Sequence, residues 1–336
     1  WVHIADVSYY VRPHTALDEE AYRRGTSVYV TDRVVPMLPQ VLSNGICSLN
    51  PQEDRFAITA QMDIGKDGAF HSYQIYPSVI KSDERMTYTK VNQIMNGDAK
   101  LMQEYRHLLV MISWMHECAH WIRKRRHDLG AINFDKKESK IIVNEKGEPQ
   151  DVVLRERGEA ERIIEDFMIA ANECVASHLK WMDLPGVYRV HEQPEPKKVR
   201  AFARIAKTLG YSFVVNTANV HATQYQKLLE EAKGEDNYDV LSTYMLRSMQ
   251  KARYDAQCLG HFGLGLQEYL HFTSPIRRYP DLVVHRMLRR YVFANNHDEE
   301  QIKKDTKWCA QAAADSSVRE RCAQEAERHV DDMKKA

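Results

Sequence analysis

The chain has 336 residues, 43% of them hydrophobic and 28% charged, with 47 basic side chains balanced by 47 acidic ones. This length can bury a large core in one big domain or two ordinary ones, and the neutral balance excludes a global basic field, so any nucleic-acid partner must be gripped by local positive surface. Six scattered cysteines (Cys47, Cys118, Cys174, Cys258, Cys309, Cys322) form no C-x-x-C pair, which argues against a disulfide framework or thiolate zinc site and for free thiols in a reducing cytoplasm.

Trp1 to Val7 reads as a strand already under way, with no initiator methionine and no signal-peptide pattern, so the sequence is expected to be a fragment. From there to about residue 90 the pattern is mostly strand. A short helix near Leu17 to Arg24 interrupts it, as does a proline-rich passage from Val35 to Pro51. Arg55 to Ile64 alternates, Lys66-Asp67-Gly68 supplies a hairpin turn, and Ala69 to Ile80 alternates again. Leu101, Tyr105, Leu108, Met111, Ile112, Met115, Cys118 and Ile122 fall at helical spacing, predicting one long helix over 98–128. It ends in Arg123 to His127, which suits the negative end of a helix dipole, and Gly130 follows as a stop. Apolar runs such as Leu108 to Met115 are too short to span a bilayer, so no membrane partner is expected.

A second hairpin is predicted from Lys140 to Leu154 with its turn at 145–147, then a helix from about Gly158 to Trp181 and a strand at Val187 to Val190. Glu192-Gln193-Pro194-Glu195-Pro196 is the best linker candidate. Beyond it the chain reads as largely helical, interrupted by a glycine-rich strand and loop at Gln257 to Leu266. The fold class is therefore mixed α/β (α+β): a β-rich first part with long helices packed around it and a helical second half.

The stretch from His261 to Arg286 concentrates chemistry. Ser274-Pro275 and Tyr279-Pro280 offer two successive helix starts. Free backbone N–H groups there, with Arg277 and Arg278 beside them, would suit a phosphate group; the alternative is an arginine pair on a solvated helix end. His116-Glu117-Cys118-Ala119-His120 matches the H-E-x-x-H zinc metallopeptidase signature. Its metzincin extension fails, because Arg123 and Arg126 stand where glycine and histidine are required. On the next helix, Glu165, Asp166 and Asn172 are polar residues on an element that looks covered nearly all round, and buried carboxylates require partners such as a cation, a sugar hydroxyl or a metal. Tyr29, Tyr88 and Phe134 sit at strand ends or before a helix, where they serve either as stacking platforms for bases or as core packing. Asp6, ending an apolar strand, reads as a turn former in preference to part of a metal site.

Several segments resemble the catalytic (RNB) domain of the ribonuclease II and ribonuclease R family of exoribonucleases. They are Val2 to Val11, Gly25 to Tyr29, Val35 to Pro39, Leu42 to Pro51, Thr87-Tyr88, Met168 to Asn172 and Thr273 to Arg286, in the family's order and over essentially the whole chain. The wording of Leu42 to Pro51 and of Ser274 to Asp281 is nearer to the ribonuclease R branch. The resemblance implies the RNB catalytic-domain fold over residues 1–336, incomplete at its N-terminus and without the flanking cold-shock and S1 domains. It implies a cytoplasmic enzyme that hydrolyses single-stranded RNA from the 3′ end to nucleoside 5′-monophosphates. Tyr29 and Phe134 match an aromatic clamp on the terminal nucleotides, Tyr88 and Glu165 match ribose contacts that select RNA through the 2′-hydroxyl, Arg277 matches the arginine on the scissile phosphate, and Glu327 matches a glutamate near the 3′ end. The H-E-x-x-H helix corresponds to a packing helix, with no zinc implied.

The implied Mg²⁺ site is an aspartate cluster upstream of the strand beginning at Trp1, so the chain alone is expected to bind RNA but barely cut it. A non-catalytic RNA-binding module is the main alternative and a zinc peptidase the lesser one. Protein partners such as RNA-decay or ribosome-associated factors stay open.

Overall fold

The computed structural model describes residues 1–134, 138–145, 147–155 and 157–335. The chain opens with β1 (Val2–Ala5), α1 (Val7–Tyr10), α2 (Ala16–Arg24), β2 (Val28–Val30) and β3 (Arg33–Val35). A π-helical turn, Val41–Ile46, occupies the proline-rich passage before β4 (Asp54–Ile64) and β5 (Phe70–Lys81). β1, β4 and β5 form an antiparallel sheet in that order, with Ile4 opposite Ile58 and Ala60 opposite Ile75. Its hairpin turns where the alternation breaks. Gly68 has φ +74, and a Cβ there would lie 2.2 Å from the Trp121 carbonyl oxygen, so glycine lets the tip seat on a helix described next.

That helix belongs to a group made of α3 (Tyr88–Met95), α4 (Ala99–Glu104) and α5 (Leu109–Asp128). The single helix expected over 98–128 is broken at Tyr105 to Leu108. Tyr105 and Leu108 are both buried with Ile94 of α3 and Ile112 of α5, in a small cluster of their own. The bend lets α4 and α5 both face α3, and the Lys90 ammonium fixes it by donating to the Tyr105 hydroxyl. Burial against α3 here outweighs a continuous helical ladder.

The second hairpin, β6 (Glu138–Val143) and β7 (Pro149–Arg155), forms as expected, although Lys146 of its turn lies outside the described residues. Next come α6 (Glu159–Trp181), β8 (Tyr188–Val190), α7 (Pro196–Thr208), α8 (Ala222–Glu231), α9 (Tyr238–Ser248), β9 (Arg253–Asp255), α10 (Tyr279–Met287) and α11 (Glu299–Lys335). The proposed linker is pinned rather than free. The His191 N–H donates to the Gly260 carbonyl at 3.0 Å, Glu192 pairs with Arg253 at 2.9 Å, and Pro196 already belongs to α7.

The principal core brings together Ile4 and Ile58 of the sheet, Val175 and Leu179 of α6, Leu282 and Val283 of α10, and Cys309 and Ala312 of α11. A second cluster, with Phe202, Tyr225, Leu228, Leu241 and Met245, holds α7, α8 and α9 together. All six cysteines are free thiols. Among the described residues no helix is long and apolar enough to cross a membrane.

Candidate nucleic-acid interface

The start of α10 sends two adjacent arginines in opposite directions. The Ser274 carbonyl accepts from the Arg277 and Arg278 N–H groups at 3.1 and 3.0 Å, closing a turn before the helix begins at Tyr279. Ser274 does not cap the helix as its position suggests; its own N–H donates to Asp281 Oδ1 at 2.7 Å. Asp281 is fully buried and takes two further hydrogen bonds from the Arg278 guanidinium, at 2.8 and 2.9 Å. Burial opposes the charge of Arg278, but the Asp281 carboxylate beside it prevails and its pKa ends up raised. Arg278 is therefore a structural cation. Arg277 is exposed, and its guanidinium has no partner among the described residues. Only one arginine of the pair is left to meet a phosphate.

The backbone of Arg277 is nonetheless firmly held. Its carbonyl accepts from the Ser27 N–H and the Thr26 hydroxyl, both at 3.0 Å, and the Tyr279 N–H donates to the Gly25 carbonyl at 2.9 Å. The segment so stitched to α10 runs straight into β2. There the Tyr29 N–H donates to Glu327 Oε1 of α11 at 2.7 Å, and the Thr31 hydroxyl donates to Asp331 Oδ1, one helical turn further on, at 2.7 Å. Glu327 thus takes a backbone N–H of β2 and Asp331 a side-chain hydroxyl of the turn that follows it, and the Tyr29 ring stays about half exposed. Arg277, Tyr29 and Glu327 are brought together by this network.

Tyr88 and Glu165 form a second group. Thr87 caps α3 by accepting from the Lys90 N–H at 3.2 Å, leaving the Tyr88 ring exposed at the first turn. One turn on, Asn92 clamps the start of α6: its side-chain amide donates to Glu161 at 2.8 Å and accepts from the Ala160 N–H at 2.8 Å. Glu165 lies one turn beyond Glu161. Contrary to the expectation of a buried carboxylate, its side chain is 41% exposed and pairs with Arg157. The buried acid of α6 is its neighbour Asp166, which takes Arg123 at 2.9 Å and Arg126 at 2.7 Å from α5. Burial pushes the Asp166 carboxyl up despite these two guanidinium groups. Asn172 is likewise satisfied internally, donating to the Tyr269 hydroxyl at 3.2 Å and accepting from the Phe272 N–H at 2.8 Å.

Phe134 stands apart. It is half buried against the cluster of α7, α8 and α9, and among the described residues no ring contact joins it to Tyr29. A link exists through the hairpin that follows it: Lys334 of α11 donates to the Gly147 carbonyl at 2.6 Å and lies 3.6 Å from Asp32 in the β2–β3 turn. The Tyr29 hairpin and the hairpin after Phe134 are thus tied to one end of α11.

The H-E-x-x-H residues assemble nothing comparable. His116 and His120 are exposed on α5, and the nearest acid to His116 is Glu159, at 3.6 Å and already held by Arg123. Among the described residues no three histidine, cysteine or acidic side chains gather into a metal site. Asp6 is the turn former expected, capping α1 by accepting from the Tyr9 N–H while pairing with Arg289. Asp281 lies inside the Ser274 to Asp281 stretch, which gives it no role, and Asp331 carries no motif; only their spacing, three residues after Arg278 and four after Glu327, hints at a shared helix face.

An exposed guanidinium at a helix start, beside a strand that carries a half-exposed ring and is tied by a carboxylate, is an arrangement able to meet a phosphate. The RNB domain family matches residues 1–294, and the chain belongs to that family. It is 48% identical to ribonuclease R 1 of Lactococcus lactis over all of this chain and 41% of the relative, and 45% identical to ribonuclease R of Thermotoga maritima over 99% of this chain and 47% of the relative. It thus spans less than half the length of these curated relatives. Among solved structures, Mycoplasma genitalium RNase R in complex with ribose methylated single-stranded RNA superposes with a TM-score of 0.92 at 30% identity, covering 99% of this chain and 52% of that one.

Proposed function

We propose that the chain is the RNB domain of a cytoplasmic 3′-to-5′ exoribonuclease that hydrolyses single-stranded RNA to nucleoside 5′-monophosphates. The observation that carries this reading is the exposed Arg277 guanidinium on a backbone locked to the Tyr29 strand, within a family whose similar member binds single-stranded RNA. Arg277 counters charge on the reacting phosphate. Tyr29 and Phe134 stack on the terminal bases, Tyr88 and Glu165 contact riboses, and Glu327 both holds the Tyr29 strand and borders the 3′ end. An exposed Glu165 suits a 2′-hydroxyl better than a buried one, since ribose must reach it from solvent. No observation favours a non-catalytic module or a zinc peptidase.

Mg²⁺ dependence is part of the proposal for the whole protein. When bound, the metal supplies water activation and leaving-group stabilisation. The described residues do not fit it, since no cluster of metal-competent side chains is present among them, and the role of this chain is confined to gripping RNA and placing Arg277.

The test uses the whole protein with a 5′-labelled oligoribonucleotide and Mg²⁺, and the expected product is a ladder shortening from the 3′ side. Arg277→Ala should lower turnover roughly 100-fold, about 3 kcal/mol of barrier, with RNA affinity nearly unchanged. A loss confined to affinity removes the catalytic role of Arg277.

A further inference from the structure

Around the last turn of α10, a cavity of about 300 Å³ is lined by Tyr9, Arg12, Arg286, Arg289 and Arg290. Arg286 lies roughly 10 Å along the helix from its start, by 1.5 Å per residue. Three of these arginines are held by acids on the protein side: Arg286 by Asp18 at 2.7 Å, Arg289 by Asp6 and Arg290 by Asp305. Arg12 has no acidic partner among the described residues, so four guanidinium groups meet three carboxylates and leave one positive charge at the mouth. The Tyr9 ring carries Arg12 at 5.7 Å and Arg289 at 5.5 Å from its centre, fixing both by cation–π attraction. Arg286 is only 7% exposed, and its Nε finds no acceptor among the described residues. That nitrogen is shut off from the cavity, so an anion is met by the exposed Arg12 and by Arg289 and Arg290, whose side chains are each 33% exposed.

We propose that this cavity is a second phosphate site, separate from the one at Arg277, that takes a phosphate carried on ribose. Its volume is at the low end of small-molecule pockets, roughly 300–1,000 Å³, and suits a sugar phosphate. The Tyr9 ring is already packed by Phe56 at 4.5 Å and Tyr10 at 5.1 Å besides the two guanidinium groups, so phosphate and not base is the recognised group. The same chemistry comes either from a free nucleoside 5′-monophosphate or from a strand of RNA.

Calorimetric titration of the chain and of its Arg12→Glu variant with 5′-AMP, inorganic phosphate, adenosine and a trinucleotide without terminal phosphates tests this, the binding lost on Arg12→Glu being the part assigned to the cavity. AMP and phosphate should bind, adenosine should not, and Arg12→Glu should weaken AMP binding at least tenfold with an unchanged melting temperature. Tyr9→Leu, which removes the ring against Arg12, should weaken it several-fold. Arg12-dependent binding that is tighter for AMP than for the trinucleotide assigns the site to free nucleotide, and the reverse order assigns it to RNA. The proposal is overturned by AMP binding that is absent, indifferent to Arg12→Glu, or matched by adenosine.

Discussion

Tyr29 and Glu327 are 298 residues apart in sequence, yet the backbone N–H of one donates to the side chain of the other at 2.7 Å. Through that bond the last helix sets where the aromatic strand sits, and with it the position of the ring relative to Arg277. Glu327→Ala should loosen β2 and reduce affinity for the 3′ end of an oligoribonucleotide by roughly tenfold, the worth of a charge-assisted hydrogen bond of about 1.5 kcal/mol. Glu327→Gln keeps an acceptor oxygen and should retain most of the affinity. Fluorescence anisotropy on both variants checks this, and equal losses would show that the carboxylate charge and not the tether matters.

Adjacent arginines should behave oppositely. Arg278→Ala strands a fully buried Asp281 without its cation and should destabilise the fold by about 3–5 kcal/mol. Arg277→Ala, at an exposed guanidinium, should leave stability within about 0.5 kcal/mol. Denaturant melts of the two variants decide it; similar midpoints would contradict the division of labour.

Gly25 joins α2 to the strand that carries Tyr29. Its φ is +70, and an added Cβ would lie 2.7 Å from the Arg319 Cβ of α11. Gly25→Ala is expected to destabilise by about 1–3 kcal/mol and to weaken RNA binding as β2 shifts. Thermal unfolding together with anisotropy measures both, and a variant as stable as the parent would mean that the junction is loose.

Stability should fall on mild acidification. Burial pushes the His261 imidazole down to about 3, and His191 and His271 are lowered by burial as well. The unfolded chain, with histidines near 6.5, takes up protons that the folded one refuses, so stability is full above about pH 6.5 and declines as pH drops toward 3. His261 alone contributes on the order of 2 kcal/mol of loss at pH 5. Melting temperatures at pH 5, 6 and 7 should rise in that order, and His261→Gln, which keeps an acceptor for the Leu264 N–H, should flatten the trend. A profile that is level or reversed would show these imidazoles to be solvated.

Local periodicity carried much of this fold into the sequence. Period-two alternation marks β4 and β5 and their glycine turn, and helical spacing marks α6 to within a residue, because each pattern follows from the chain's own geometry. The family motifs likewise point to Arg277, Tyr29, Tyr88, Phe134, Glu165 and Glu327 without any coordinates. Choices between neighbours were not legible. Whether Glu165 or Asp166 is buried depends on Arg123 and Arg126 arriving from another helix, and those arginines look from the sequence only like failures of a zinc pattern. Whether Arg277 or Arg278 faces outward is decided by burial of Asp281, and whether 98–128 is one helix or two by the side chains of α3. By itself the sequence determined most of the elements, the family and the roster of chemically able residues. Tertiary structure alone decided which of them are exposed and which are joined, because desolvation and ion pairing act between segments that the chain's local geometry never brings side by side.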